Sequence, residues 1–211
     1  MKIKRFEVGP FAENTYLLIK DNDALLIDPG FSSDDEFDEF RNELANTGAT
    51  LTAVILTHAH IDHVLGLPLV LDAFDVDVYL NHTDLTPWNK ISEQASMFGL
   101  RAENIGFTPE KLPDEGILSI GSFEMELFFT PGHAPDHVSF YFKDQQMVIA
   151  GDTLFRQSVG RTDLYKGDSD LLKASIKEKL YTLPDETLVY PGHGPKTSIG
   201  EEKKTNPFVR G

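Results

Sequence analysis

Seven residues of this sequence have the types and spacing to hold metal ions. The densest group is Thr57-His58-Ala59-His60-Ile61-Asp62-His63, which brings three imidazoles and a carboxylate together. In an extended chain a two-residue step puts His58 and His60 on one side, and a helix beginning just after them would project Asp62 and His63 toward the same cleft. Three more candidates each follow an apolar run, as His58 follows AVILT: His133 comes after ELFFTPG, Asp152 after MVIAG and His193 after LVYPG. Candidate ligands at the ends of four apolar strands point to a site built along one edge of a sheet, where the backbone is rigidly held and the side chains remain accessible. There is no cysteine, so any metal is held by imidazole and carboxylate. Five histidines and two aspartates exceed what one tetrahedral ion needs, so two divalent ions are expected, zinc first, with iron or manganese accepted by the same donors.

These side chains need a rigid scaffold. Residues 14–19 and 24–28, separated by the polar turn Lys20-Asp21-Asn22-Asp23, read as a β-hairpin. Ser33 with Glu36 has the spacing of a capping box, Phe37, Phe40 and Leu44 share a helical face, and Gly48 is placed to end that helix. Residues 52–57 and 76–81 read as strands around one helix over 62–73. Residues 82–112 read as a helix with a long loop, a lid or pocket wall. Strands are expected over 117–130, 138–142, 146–151 and 187–191, with a helix over 170–180 capped by Ser169. Strands in runs with helices between them predict a mixed α/β architecture. No linker-like stretch divides residues 1–211, so a single domain is expected.

Composition narrows the function further. The 211 residues carry 19 Lys and Arg against 34 Asp and Glu, a formal charge of −15, which disfavours nucleic acid as a partner. The N-terminus lacks a signal-peptide core and no long apolar run occurs, so no membrane association and a cytoplasmic location are expected. Oligomeric state is not legible. Some residues have plainer readings. His82 reads as structural or solvated, His137 as orienting a neighbour, Asp28 as a buried turn residue or a ligand-orienting carboxylate, and Trp88, Met97 and Phe98 as core. The acidic runs 34–43 and 201–202 read as solvated faces.

Several motifs carry a family resemblance: Asn14-Thr15-Tyr16, Asp28-Pro29-Gly30, THAHIDH (57–63), TPGHAPDH (130–137), AGDTLF (150–155), VGRTD (159–163), YPGHGP (190–195) and NPF (206–208). In these the chain resembles the metallo-β-lactamase-fold hydrolases, and among them the single-domain type II glyoxalases, or hydroxyacylglutathione hydrolases. The resemblance implies a four-layered αβ/βα sandwich of two mixed sheets flanked by helices. It also implies a dinuclear site with His58, His60 and His133 on one ion, Asp62, His63 and His193 on the other, and Asp152 bridging. Asp62 and Asp152 would be the catalytic carboxylates, acting through a metal-bridging hydroxide. The implied substrate is a small anionic thioester such as S-D-lactoylglutathione, split into a 2-hydroxy acid and a thiol, a step of methylglyoxal detoxification. The longer two-domain glyoxalases continue into a helical domain that helps hold glutathione, whereas this chain ends 18 residues after His193, so no such domain is expected. Arg161 stands where those enzymes carry a substrate-binding Lys, and is expected to anchor the anionic part of the substrate. The strongest rival within the superfamily is a mononuclear iron persulfide dioxygenase, similar in GRTD and in length. A nuclease is opposed by the charge, and a β-lactamase by the absence of a Cys ligand.

Overall fold

The computed structural model describes residues 1–211, Met1 to Gly211. They gather into two compact units, Met1–Leu112 with Ser119–Phe123, and Pro113–Leu118 with Glu124–Gly211. Each carries a six-stranded mixed sheet with helices, the α+β class expected.

The first unit runs β1 (Lys2–Val8), β2 (Glu13–Lys20), β3 (Asp23–Ile27), α1 (Asp34–Thr47), β4 (Thr50–Ile55), α2 (Ile61–Val64), α3 (Leu67–Ala73), β5 (Asp77–Asn81), α4 (Thr86–Asn89), α5 (Ile91–Met97) and β6 (Glu110–Leu112). The strands lie in sequence order. β1–β2 and β2–β3 pair antiparallel, whereas β3, β4, β5 and β6 pair in parallel. The expected hairpin is the β2–β3 pair. On one face of the sheet Leu17, Leu26, Val54 and Leu80 pack against Phe37 and Phe40 of α1, Val70 of α3 and Trp88 of α4. Leu18, Leu25, Ile27 and Ile55 alternate with them and are equally buried. Central strands buried on both sides need such continuous apolar runs, which is why these segments stand out in the sequence.

Local chemistry sets the boundaries. The Ser33 hydroxyl accepts from the Glu36 amide, and Gly48 ends α1 in the left-handed region at φ 70°. The single helix expected over 62–73 is instead α2 and α3, broken at Leu65-Gly66. Gly66 lies so close to Phe31 that an added Cβ would be 2.7 Å from the Phe31 Cβ, and Pro68 suits the first turn of a new helix. Residues 82–112 hold two short helices and an edge strand rather than one helix and a loop. They are tied internally, since the Trp88 indole donates to the Phe107 carbonyl and the Ser92 amide to Asn104 Oδ1. Trp88 is core, as expected, but Met97 and Phe98 are exposed.

The second unit adds β7 (Gly116–Ile120), β8 (Phe123–Phe129), β9 (Val138–Phe142), β10 (Met147–Gly151), the small hairpin β11 (Leu154–Phe155) and β12 (Ser158–Val159), α6 (Ser169–Glu178), β13 (Leu188–Pro191), β14 (Thr197–Ser198) and α7 (Ile199–Thr205). Its sheet has the order β14-β13-β10-β9-β8-β7, mixed because β10 and β13 are parallel. Leu172 and Ile176 of α6 and Ile199 of α7 pack on Val148, Ala150 and Val189. The cap of α6 is Asp168, not Ser169. The Asp168 carboxylate accepts from the amides of Asp170 and Leu171, whereas Ser169 is already helical. The acidic pair 201–202 is also split, because Glu202 is buried and accepts from the Thr197 hydroxyl, the Gln157 amide and the Asn206 side chain. Run 34–43 remains largely a solvated face, although Glu36 turns back to accept from the Gly9 and Ser32 amides. No helix is long and apolar enough to cross a membrane.

Candidate metal centre

The first unit brings His58, His60, Asp62 and His63 together just after β4. The chain leaves the sheet there, so His58 and His60 keep extended spacing, and His60 then stands at the N-terminal boundary of α2, which bears Asp62 and His63. His58 Nε2 lies 3.0 Å from His60 Nδ1, and the His58 and His63 ring centroids are 4.2 Å apart. Two ring nitrogens this close could serve one divalent ion.

Asp28 organises this group. At the end of β3 and with φ 50°, it accepts from the Thr57 amide (2.7 Å), the Thr57 hydroxyl (2.7 Å) and His63 Nδ1 (3.0 Å). Because the Thr57 hydroxyl donates to Asp28, its contact with His58 Nδ1 at 3.0 Å is one in which the imidazole donates. Both rings therefore carry their proton on Nδ1 and present Nε2 as the ligand atom. Asp28 is thus a buried turn residue whose carboxylate also orients the imidazole of the candidate ligand His63, so both of its readings apply.

Behind Asp28 lies Glu13, fully buried, with Oε1 3.8 Å from His63 Nδ1. Burial pushes its carboxyl well above the usual carboxylate range, and His63 only partly opposes the shift. The Thr15 hydroxyl contacts Glu13 Oε2 at 2.8 Å and the Asp28 carbonyl at 2.7 Å, and receives the Gly30 amide at 3.0 Å. The Thr15 hydroxyl thus ties Glu13, the Asp28 carbonyl and the Gly30 amide together behind His63. Gly30 is required here: a Cβ would lie 2.3 Å from the Asp62 carbonyl oxygen and 2.4 Å from Glu13 Oε2.

The second unit brings together His133, Asp152 and His193. Asp152 follows β10, and its Oδ2 lies 3.4 Å from His133 Nε2 and 3.5 Å from His193 Nε2. Two ligands at roughly 2.05 Å from one tetrahedral ion are themselves about 3.35 Å apart. Asp152 Oδ2 thus stands at ligand–ligand distance from both imidazoles, and a donor set of imidazole and carboxylate suits divalent metal.

Supporting contacts fix these residues too. His133 Nδ1 donates to the Arg161 carbonyl at 2.7 Å, leaving Nε2 toward Asp152. The Asp152 amide can only donate, and it meets His137 Nε2 at 3.0 Å, so His137 carries its proton on Nδ1, which donates to Thr130 Oγ1 at 2.9 Å. His137 therefore holds the backbone of Asp152, the orienting role expected of it. His82 is structural, its Nε2 meeting the Pro109 carbonyl. Gly160 is needed for close approach, since a Cβ would fall 1.9 Å from the Asp152 carbonyl oxygen.

Arg161 contributes in a way its sequence position did not reveal. Its carbonyl holds His133, while its exposed guanidinium forms a bidentate pair with Asp163 at 2.7 and 2.8 Å. That fork holds the Asp163 carboxyl down at about 2. Glu13, Thr57, Thr130 and the Arg161 carbonyl were not singled out beforehand. Thr57, Thr130 and Arg161 stand inside motifs and Glu13 beside one, a position that does not by itself assign a partner.

The fold and these donors define a metallo-hydrolase scaffold, and comparison with known proteins gives it a family. Residues 8–193 match the metallo-beta-lactamase superfamily, and the chain belongs to it. It is 41% identical over 213 residues to the probable metallo-hydrolase YqgX of Bacillus subtilis, covering 100% of this chain and 99% of that protein. It is 35% identical over 214 residues to the hydroxyacylglutathione hydrolase GloC of Haemophilus influenzae, covering 99% and 98%. Among solved structures it resembles the BLEG-1 B3 metallo-beta-lactamase, with a TM-score of 0.88 and 37% identity across 100% of both chains. It equally resembles TTHA1623 in a di-iron-bound form, with a TM-score of 0.88 and 39% identity over 98% of this chain and 100% of that one.

Proposed function

We propose that residues 1–211 act as one domain whose two ligand sets serve a single dinuclear centre, and that the protein hydrolyses a small anionic thioester of the S-D-lactoylglutathione type. In this reading His58, His60 and His133 hold one ion, Asp62, His63 and His193 hold the other, and Asp152 bridges. The observation that carries it is that Asp152 Oδ2 lies at ligand–ligand distance from two different imidazoles, 3.4 Å from His133 Nε2 and 3.5 Å from His193 Nε2. Similarity to GloC supports the substrate class.

Two divalent ions, when bound, lower the pKa of a shared water toward neutrality and polarise the carbonyl under attack. The protein's own residues set up that chemistry. Asp28 and Thr57 keep protons on the Nδ1 atoms of His63 and His58, the Arg161 carbonyl does the same for His133, and His137 fixes the Asp152 backbone. Arg161 would capture the anionic part of the substrate by exchanging Asp163 for a substrate carboxylate, which its planar fork can bind in the same bidentate way. No nucleophilic side chain is needed, and a thiolate leaves with little acid assistance. Zinc is the first choice of metal, and the di-iron form of TTHA1623 makes iron the alternative.

Similarity to BLEG-1 favours a second reading, hydrolysis of a β-lactam amide at the same centre. Metal content and three activities should be measured on one preparation. Close to two ions per chain and anaerobic cleavage of S-D-lactoylglutathione are expected. β-Lactam turnover without thioesterase activity would establish the second reading, and oxygen uptake with glutathione persulfide at one iron per chain would establish a dioxygenase.

A further inference from the structure

Gln94 lies in α5, remote in sequence from every ligand, yet its side-chain amide grips the peptide units on both sides of His60. Its Oε1 accepts from the Ile61 amide at 3.2 Å, and its Nε2 donates to the Ala59 carbonyl at 3.0 Å and to the Pro87 carbonyl at 2.8 Å. The orientation of the amide is fixed by its partners, because a backbone N–H only donates and a carbonyl only accepts.

The grip falls where it matters. Residues 56–60 lie outside any strand or helix; the Leu56 amide still bonds the Tyr79 carbonyl and the Thr57 amide bonds Asp28, and beyond them Gln94 pairs with both the carbonyl before His60 and the amide after it. His60 also differs from its neighbours. His58, His63 and His133 present Nε2 and are oriented through a proton on Nδ1, whereas the nitrogen of His60 that faces His58 is Nδ1 itself. Nδ1 is the ring nitrogen nearest the main chain, so its position follows the backbone directly.

We propose that Gln94 is a positioning residue for His60, fixing the Nδ1 atom by clamping the backbone on either side and so coupling segment 82–112 to the metal centre. Through Pro87 the same amide joins α4 to the clamp, so a displacement of this segment would be felt at His60. The proposal rests on the reading of His60 as a metal ligand.

The test uses the cobalt-loaded protein challenged with graded chelator, counting bound metal and following the visible ligand-field bands. Gln94→Glu keeps the length of the side chain but turns oxygen toward two carbonyls, and Gln94→Met keeps bulk without either function. Both should release one of the two ions at about tenfold lower chelator concentration, with the other ion unchanged, as loss of a ligand-supporting contact predicts. The bands should shift, and the loosening should stay confined to one ion even where the lost hydrogen bonds lower the thermal midpoint in excess chelator by a few degrees, roughly. Wild-type release of both ions from both variants would overturn the proposal. So would equal loosening of both ions with a fallen midpoint, which would make Gln94 a support for the fold alone. His60→Ala serves as the separate check on the underlying reading: loss of one ion is expected, and retention of both would remove His60 from the ligands and the proposal with it.

Discussion

Replacing Asp28 with Asn isolates the carboxylate that sets two imidazole tautomers, at nearly constant size. Asp28 accepts three hydrogen bonds, from the Thr57 amide, the Thr57 hydroxyl and His63 Nδ1, all buried. An Asn oxygen can keep the amide bond, but its NH2 group would face the hydroxyl and imidazole donors on the other side. The relaxed alternative moves the His63 proton from Nδ1 to Nε2, which removes the ligand lone pair. Loss of a partner to a ligating imidazole costs about 10–100-fold in metal affinity, or about 1.4–2.7 kcal/mol. The unpaired donors cost a further 1–3 kcal/mol of stability, roughly. At about 2–4 °C per kcal/mol for a domain of this size, the metal-free protein should melt roughly 2–12 °C lower. Chelator competition reads the first quantity and calorimetry in excess chelator the second. Thr57→Val, which removes only the hydroxyl link to His58, should weaken metal binding less than Asp28→Asn. Wild-type chelator resistance in Asp28→Asn would refute the tautomer argument, and a loss confined to melting temperature would reduce Asp28 to a packing role.

Asp152→Ala should remove the oxygen shared by His133 and His193, lowering metal content below two per chain and thioester turnover by at least about a hundredfold; normal turnover would sink the bridging role. Arg161→Ala should raise KM for an anionic thioester and scarcely affect a neutral one. Asp163→Asn should act oppositely, lowering KM for the anionic substrate by releasing the guanidinium. The Asp163 carboxyl, held at about 2 against an ordinary 3.8, gives its pairing in full above that ordinary value and loses it as pH falls through about 2. Carboxyl titration by NMR checks this, and an unshifted Asp163 would show that the pair is not kept in solution. Glu202→Ala should destabilise by about 3–5 kcal/mol, since it strands donors from Thr197, Gln157 and Asn206, and a melting curve within error of wild type would contradict that network.

What the sequence made legible follows from the range of the interactions involved. The hairpin, the capped helix α1 and the strands before the candidate ligands are written in contiguous periodicity. The cluster His58–His63 is written in local spacing, and each of its residues lies where the pattern points. The contacts that orient those candidate ligands join distant residues: Asp28 reaches Thr57 and His63, His133 reaches the Arg161 carbonyl, and Gln94 reaches Ala59 and Ile61. No periodic pattern encodes such pairs. Strand β1 escaped for a different reason. Its charged alternation, KIKRFEV, buries only Phe6 and Val8, which reads as weakly apolar although it suits a sheet edge. The break between α2 and α3 depends on how near Phe31 comes to Gly66, a tertiary distance invisible in a helical spacing count.

The orienting contacts also explain why the motifs extend beyond the ligands. A histidine offers two nitrogens, and spacing alone does not choose between them. Here the choice is made by whatever accepts the Nδ1 proton. For His63 it is a carboxylate, for His58 a hydroxyl already committed to that carboxylate, and for His133 a main-chain carbonyl. The three differ in what substitution can do to them. Asp28 and Thr57 can be removed by changing one side chain, but the carbonyl of Arg161 survives any replacement of the guanidinium. Arg161→Ala therefore separates the observed hold on His133 from the proposed capture of an anion: it removes the guanidinium fork and leaves the carbonyl in place. A change that moves the backbone of the same loop, such as a larger residue at Gly160, where a Cβ would lie 1.9 Å from the Asp152 carbonyl oxygen and 3.2 Å from the His133 Cβ, should disturb metal binding instead.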